Sequence, residues 1–349
     1  MVTKVSKLLV PALALLIYSS VSAQDYSVDQ DISKKIDNAY LMMAMEDVAY
    51  MDILRLAGPP KAVQTRKPHC AFKDTLRNNQ LIFYSYVFFP KEVKQGKKYP
   101  LMVFPHGGIH GSFGTVYIHI VREMIGQGYI VLCPDYRGST GWGKNIYEAI
   151  DYGGLENEDV LAARDYMVEN YSIVDPDRVG IMGWSHGGMI TLMSVLRYPE
   201  KYVCGYAGVP VSDVAYRLTY QLPSYKNNFT PKYHIGALPE EKPEEYARRS
   251  PVTYAKQLER PLMITTCIND DDVSHTEVER MIDSLKFYNK EFEYEIYPSM
   301  PGAHVFERID SKESTEIRFK TYEFMATYLN PPHRFKNINE LKKAGYRFY

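Results

Sequence analysis

Apolar and polar positions follow two rhythms along this chain. Between Asp31 and Leu56 the apolar residues Ile32, Ile36, Tyr40, Met43, Val48, Met51 and Leu54 recur at roughly helical spacing, until Gly58-Pro59-Pro60 stops the pattern. That spacing predicts a packing helix or pair of helices ahead of the main body. Gln80 to Phe89, rich in aromatic and β-branched residues and closed by Pro90, reads as a strand. Short apolar runs then predict buried strands at Leu101 to Pro105, Tyr129 to Cys133, Val179 to Gly183, Val203 to Val209, Leu262 to Ile268 and Phe292 to Tyr297, with helical patterns between most of them. Such alternation implies an α/β fold with a mostly parallel central sheet and helices on both faces. Ligands in such folds gather at the carboxyl ends of the strands. One long interval, Val211 to Arg260, interrupts the rhythm and carries Tyr216, Tyr220, Tyr225, Phe229, Tyr233 and His234. An insertion of this kind either walls a pocket or packs on its own aromatics, and both readings stand.

Composition narrows the partners. The 349 residues carry 41 basic and 42 acidic side chains, a formal net charge of −1, so no basic surface points to nucleic acid or anionic lipid. The first residues read as an export signal: Lys4 and Lys7, an apolar run from Leu8 to Ile17, then Val21-Ser22-Ala23, with Gln24 as the mature start. The run is about half the roughly 20 residues a membrane span needs, so the working protein is expected to be periplasmic or secreted with no membrane span. Of four cysteines, Cys133, Cys204 and Cys267 lie in or at the end of strand-like runs and are expected to be buried free thiols. Cys70 leaves pairing open, and the spacing fits no zinc motif.

The segment Val179-Gly180-Ile181-Met182-Gly183-Trp184-Ser185-His186-Gly187-Gly188 reads as a buried strand running into a nucleophile elbow. Ser185 sits where such an elbow holds its serine, and Gly183 and Gly187 keep strand and helix from colliding. A serine nucleophile needs a base and an orienting carboxylate, which on this scaffold follow in the order serine, acid, histidine. Asp270, Asp271 and Asp272 compete for the acid's place after the strand Leu262 to Ile268. A metal site formed by these acids with His275 is a weak alternative. His304 alone follows the last strand by a short loop, unlike His234, His275 and His333. The attacked carbonyl becomes an oxyanion, for which the backbone N–H of His186 and the loop His106-Gly107-Gly108 supply donors; metal ligation by His106 and His110, or a plain turn, is the alternative.

These ordered segments, together with Asp135-Tyr136-Arg137-Gly138-Ser139-Thr140-Gly141-Trp142-Gly143 and Asp270-Asp271-Asp272-Val273, resemble the catalytic domain of the prolyl oligopeptidase family of serine peptidases. The resemblance runs from about Lys67 to Leu329 and implies an α/β-hydrolase fold. It selects Asp270, three residues before Val273, as the catalytic acid and His304 as the base. It also implies that Val211, Tyr216 and Tyr220 shape the acyl-side pocket. Two departures stand out: Thr266-Cys267 where the family often has His-Gly, and Val305 where it has glycine after the histidine.

The expected organisation is a signal peptide at 1–23, an N-terminal helical extension at 24–66, a catalytic domain at 67–330 with a pocket-forming insertion at about 211–260, and a tail at 331–349. The tail's Arg334, Lys336, Lys342, Lys343 and Arg347 against Glu340 either dock a partner or cover the fold. Residues 24–66 are too few for the β-propeller that many family members place before this domain. The expected function is therefore that of an exported serine hydrolase, needing no cofactor or metal. It acts on short peptides or, alternatively, as a carboxylesterase on acetyl or feruloyl esters of polysaccharides. A minor alternative is a non-catalytic binding protein on the same fold. Oligomeric state stays open.

Overall fold

The computed structural model describes residues 26–60, 80–229 and 234–345. The export signal, Cys70, Tyr233 and Arg347 lie outside the described residues. Eight strands form one sheet: β1 (Ala49–Gly58), β2 (Leu81–Pro90), β3 (Tyr99–Val103), β4 (Ile130–Asp135), β5 (Val174–Trp184), β6 (Cys204–Gly208), β7 (Leu262–Cys267) and β8 (Glu293–Tyr297). Their order is β1-β2-β4-β3-β5-β6-β7-β8. The first two strands pair antiparallel, as does β2 with β4, and every later pair is parallel.

Alternation along β4 shows why the sheet is buried on both faces. Ile130 and Leu132 join one apolar cluster, whereas Val131 and Cys133 join the other, because successive side chains leave a strand on opposite sides. The second cluster is covered by α1 (Val28–Met45) and α2 (Ile118–Gln127). After the short helix α3 (Lys144–Tyr147), the first is covered by α4 (Leu155–Asn170) and α5 (His186–Arg197). The insertion supplies α6 (Val214–Tyr220) and α7 (Pro243–Arg248), and α8 (His275–Phe287) completes that face. Finally α9 (Lys312–Leu329) and α10 (Ile338–Ala344) return to the α1 side. In the tail, Phe335 and Leu341 are buried, so this segment covers the fold. Cys133, Cys204 and Cys267 are buried free thiols.

Two expectations for the N-terminal region are corrected. The helix ends at Met45, and Met51 and Leu54 lie on β1, which pairs with β2 from Ala49 opposite Pro90 to Gly58 opposite Leu81. The extension is thus not helical throughout. Leu54 and Leu56 alternate with exposed residues, a period of two that a helical reading of the same residues conceals. The helix itself also faces the other way: Ile32, Ile36, Tyr40 and Met43 are 55–66% exposed, while Lys34, Leu41, Ala44 and Met45 are buried. Ser27 starts it with a capping box, accepting from Asp29 N while Gln30 accepts from Ser27 N.

Candidate active site

The chain leaves β5 at Trp184 and enters α5 at His186, with Ser185 between them at φ 59°, ψ −121°. A non-glycine residue holds this conformation only where its surroundings dictate it. They do so here. The Ser185 amide donates to Gly208 O at 3.0 Å, and its carbonyl accepts from Met189 N at 2.9 Å. The flanking glycines are sterically required. A Cβ on Gly183 would lie 2.6 Å from the Gly187 carbonyl carbon, and one on Gly187 would lie 2.3 Å from Pro105 O.

Directly above stands the loop that follows β3. A Cβ placed on Gly107 would lie 3.2 Å from Trp184 O and 3.5 Å from Ser185 Cβ, so the loop backbone passes close over the serine. Gly108 adopts φ +76°. The His186 amide opens α5, where the helix dipole favours negative charge. The His106 ring, in contrast, is wholly buried. Its Nε2 lies 2.8 Å from Ser139 Oγ and its Nδ1 3.0 Å from Gly107 O, and burial pushes its pKa down to about 4 despite the nearby Asp135. It props the loop as a neutral ring. His110 is similarly occupied, stacked on Tyr147 with Nδ1 2.8 Å from Gly138 O.

Helix α1 reaches the same loop from behind. Lys34, only 4% exposed, pairs with Asp135 Oδ2 at 2.9 Å and donates to Phe113 O. Asp135 also accepts from Phe113 N at 2.6 Å and from Trp142 Nε1 at 2.6 Å. Asp37 accepts from Thr115 N at 3.1 Å, and Asp31 from Gly143 N at 3.1 Å. The α1 members, Asp31, Lys34 and Asp37, belong to no motif, because a charged residue on a surface helix reads as solvated.

Among the three competing acids, Asp270 is the one bonded to a candidate base. His304 Nδ1 lies 2.9 Å from each carboxylate oxygen, and Oδ1 also accepts from Asp272 N and Val273 N. Asp271 is exposed, and Asp272 pairs with Arg217 at 2.5 Å. Of the rival histidines, His275 opens α8, His234 lies against His110, and His333 follows α9 on the far side of the fold. Two residues missed in the sequence brace the pair. Asn269 exchanges hydrogen bonds with the Met300 backbone at 2.8 and 2.9 Å, joining the two loops. Glu307, buried on the same 3₁₀ turn as His304 (Ala303–Arg308), accepts from Trp184 Nε1, Tyr206 OH and Thr265 Oγ1. Burial raises its pKa despite those bonds. Among the described residues no hydrogen bond joins Ser185 Oγ to His304, and the imidazole Nε2 lies 3.6 Å from Asp272 Oδ2.

The insertion's aromatics pack into the core and on one another. Phe229 packs on Tyr152, Tyr225 and Tyr246 in the core. Val211 is buried, its amide 3.4 Å from Ser185 O. Tyr216 and Tyr220 spend their hydroxyls on Thr276 and Glu277 of α8, and their rings pack on each other. Arg217, between them, reaches Asp272 beside His304. No group of three or more His, Cys, Asp or Glu side chains among the described residues is arranged to hold a metal ion.

A family model described as the prolyl oligopeptidase family matches residues 116–332, more than half of the chain and all three of Ser185, Asp270 and His304. The chain belongs to this family. It is 26% identical over 271 residues to the mouse acylamino-acid-releasing enzyme, covering 74% of this chain and 34% of that one. It is also 26% identical over 249 residues to human dipeptidyl peptidase 8, covering 68% and 26%. An acylaminoacyl peptidase from Pyrococcus horikoshii superposes with a TM-score of 0.66 at 21% identity, covering 87% of this chain and 46% of that one. The chain spans about a third of the length of curated relatives it matches. As a prolyl oligopeptidase family member it has the α/β-hydrolase sheet, with Ser185 at the carboxyl end of its central strand β5.

Proposed function

We propose that the protein is an exported serine hydrolase that cleaves short peptides through Ser185, His304 and Asp270. The observation that carries this reading is the His304 Nδ1 contact with Asp270 at 2.9 Å, on loops braced against the strand that ends in the Ser185 elbow. Nδ1–H donating to the carboxylate leaves Nε2 as the base. Ser185 Oγ attacks the carbonyl carbon as its proton passes to Nε2. The amides of His186 and of Gly107 or Gly108 receive the oxyanion. His304 then gives the proton to the leaving nitrogen as the C–N bond breaks. His304 Nε2 next takes a proton from water as its oxygen attacks the acyl carbon, then returns that proton to Ser185 Oγ as the ester C–O bond breaks and the acid product leaves. The serine–histidine hydrogen bond commonly forms only once substrate is bound.

Fluorophosphonate labelling of the wild type and Ser185→Ala tests the nucleophile. Labelling is expected only in the wild type, and equal labelling of both rejects the assignment. Rates on aminoacyl nitroanilides, set beside those on acetyl and feruloyl esters, test the substrate. Rapid ester turnover with undetectable amide cleavage would make the protein a carboxylesterase. Export rests on Lys4, Lys7 and the apolar run before Ala23. Sequencing of the mature amino terminus is expected to begin at Gln24.

A further inference from the structure

Arg308 lies four residues beyond His304 on the same turn and donates from Nη2 to His304 O at 2.6 Å. It differs from the well-buried arginines. Arg137, Arg217, Arg249 and Arg318 each meet a carboxylate, at 2.7, 2.5, 2.9 and 3.0 Å respectively. Arg308 is partly buried and meets no carboxylate among the described residues, and its Nε is buried with no hydrogen-bond partner. A guanidinium presents five N–H donors in a fork suited to carboxylate, so a buried Nε–H without an acceptor is costly unless a ligand supplies one. Its position is equally specific. The point where a Cβ on Gly107 would lie has Ser185 Cβ 3.5 Å away and Arg308 Nη1 3.8 Å away, so guanidinium and serine flank the same glycine.

We infer that Arg308 binds the free α-carboxylate of the residue just after the scissile bond, so that the substrates are short peptides losing their C-terminal residue. This rests on the serine-hydrolase reading above. His304 must protonate the leaving nitrogen, which places the leaving group against the turn that carries Arg308, and an α-carboxylate stands two bonds from that nitrogen. Asp272, half exposed with Oδ2 3.6 Å from His304 Nε2, disfavours a carboxylate on its own side of the imidazole.

The test compares the whole protein on benzyloxycarbonyl-Ala-Ala and on its C-terminal amide, which share the acyl half. The acid is expected to have a kcat/KM roughly 10- to 100-fold higher. In Arg308→Met this ratio should fall close to unity, and Arg308→Lys should restore part of it. Equal wild-type rates on acid and amide overturn the inference, and so does Arg308→Met slowing both equally, because a residue that merely holds the His304 turn would act on both. An amide ending in glutamate separates an α-carboxylate site from one for acidic side chains: cleavage as fast as the acid assigns Arg308 to the side chain and overturns the α-carboxylate claim. If neither peptide turns over, their inhibition of p-nitrophenyl acetate hydrolysis is read instead, with tighter inhibition by the acid expected and equal inhibition overturning it. Fluorophosphonate labelling involves no carboxylate. Loss of labelling indicts the nucleophile, whereas intact labelling without acid preference indicts Arg308 alone.

Discussion

Helices α1 and α5 both converge on the loop above Ser185, but by opposite means. Every residue of α5 from His186 to Leu196 is buried, and its position follows from apolar contact with the sheet and from glycine-to-backbone approach at Gly187 and Gly188. On α1, Lys34, Asp31, Asp37 and Asn38 face the protein, and Ile32, Ile36 and Tyr40 face outward. One helix is placed by apolar contact along its length, the other by charge-assisted hydrogen bonds over its first turns and by Leu41, Ala44 and Met45 at its end. The amphipathic stripe of a helix therefore tells its type but not which side it buries.

The contrast can be broken at four places. The largest effect is expected from Gly187→Ala, whose methyl would lie 2.3 Å from Pro105 O and 2.9 Å from His106 O. Denaturant melts should show a loss of more than about 4 kcal/mol together with lost fluorophosphonate labelling. Lys34→Met comes next. It strands the buried Asp135 carboxylate, and about 3 kcal/mol should be lost in the same melts, with reduced kcat if α1 holds the oxyanion loop in place.

Acid should weaken the loop between the two helices in a graded way. Burial lowers the pKa of His106 and of His110 from 6.5 to about 4. Between those values the unfolded chain binds protons that the folded one refuses, so stability rises with pH across this window. It is fully present above 6.5 and is lost as pH falls toward 4. Melts at pH 7.5 and 4.5 should differ by on the order of 2 kcal/mol for each such histidine. The smallest change belongs to Ile36→Ser on the outward stripe, within about 0.5 kcal/mol of wild type. A loss of several kcal/mol there would mean that the stripe is covered in solution.

The contrast also explains what could be read in advance. The central strands were legible because they are short, wholly apolar runs; β3, β4, β6 and β7 fall within two residues of expectation. The elbow glycines and chain order singled out Ser185 and His304 as candidates, and the family resemblance chose Asp270 among three acids; the structure brings Asp270 against His304. Strand β1 was not, because Met51, Leu54 and their neighbours fit a period of two and a helical spacing alike, and only pairing with β2 decides. Lys34, Glu307 and Arg308 were hidden for a different reason: a charged residue declares itself buried, tethered or unpaired only when distant segments meet. Asn269 exchanging bonds with Met300 is the same case.

The backbone of Ser185 carries one more implication. At φ 59°, ψ −121°, glycine would be at ease where serine is held against its preference, at a cost of about 1–3 kcal/mol. Ser185→Gly should thus fold more tightly than the wild type while losing the proposed attacking oxygen. Selection for thermal endurance alone would remove this serine, so its persistence in a gene under such selection would itself report that hydrolysis is being used.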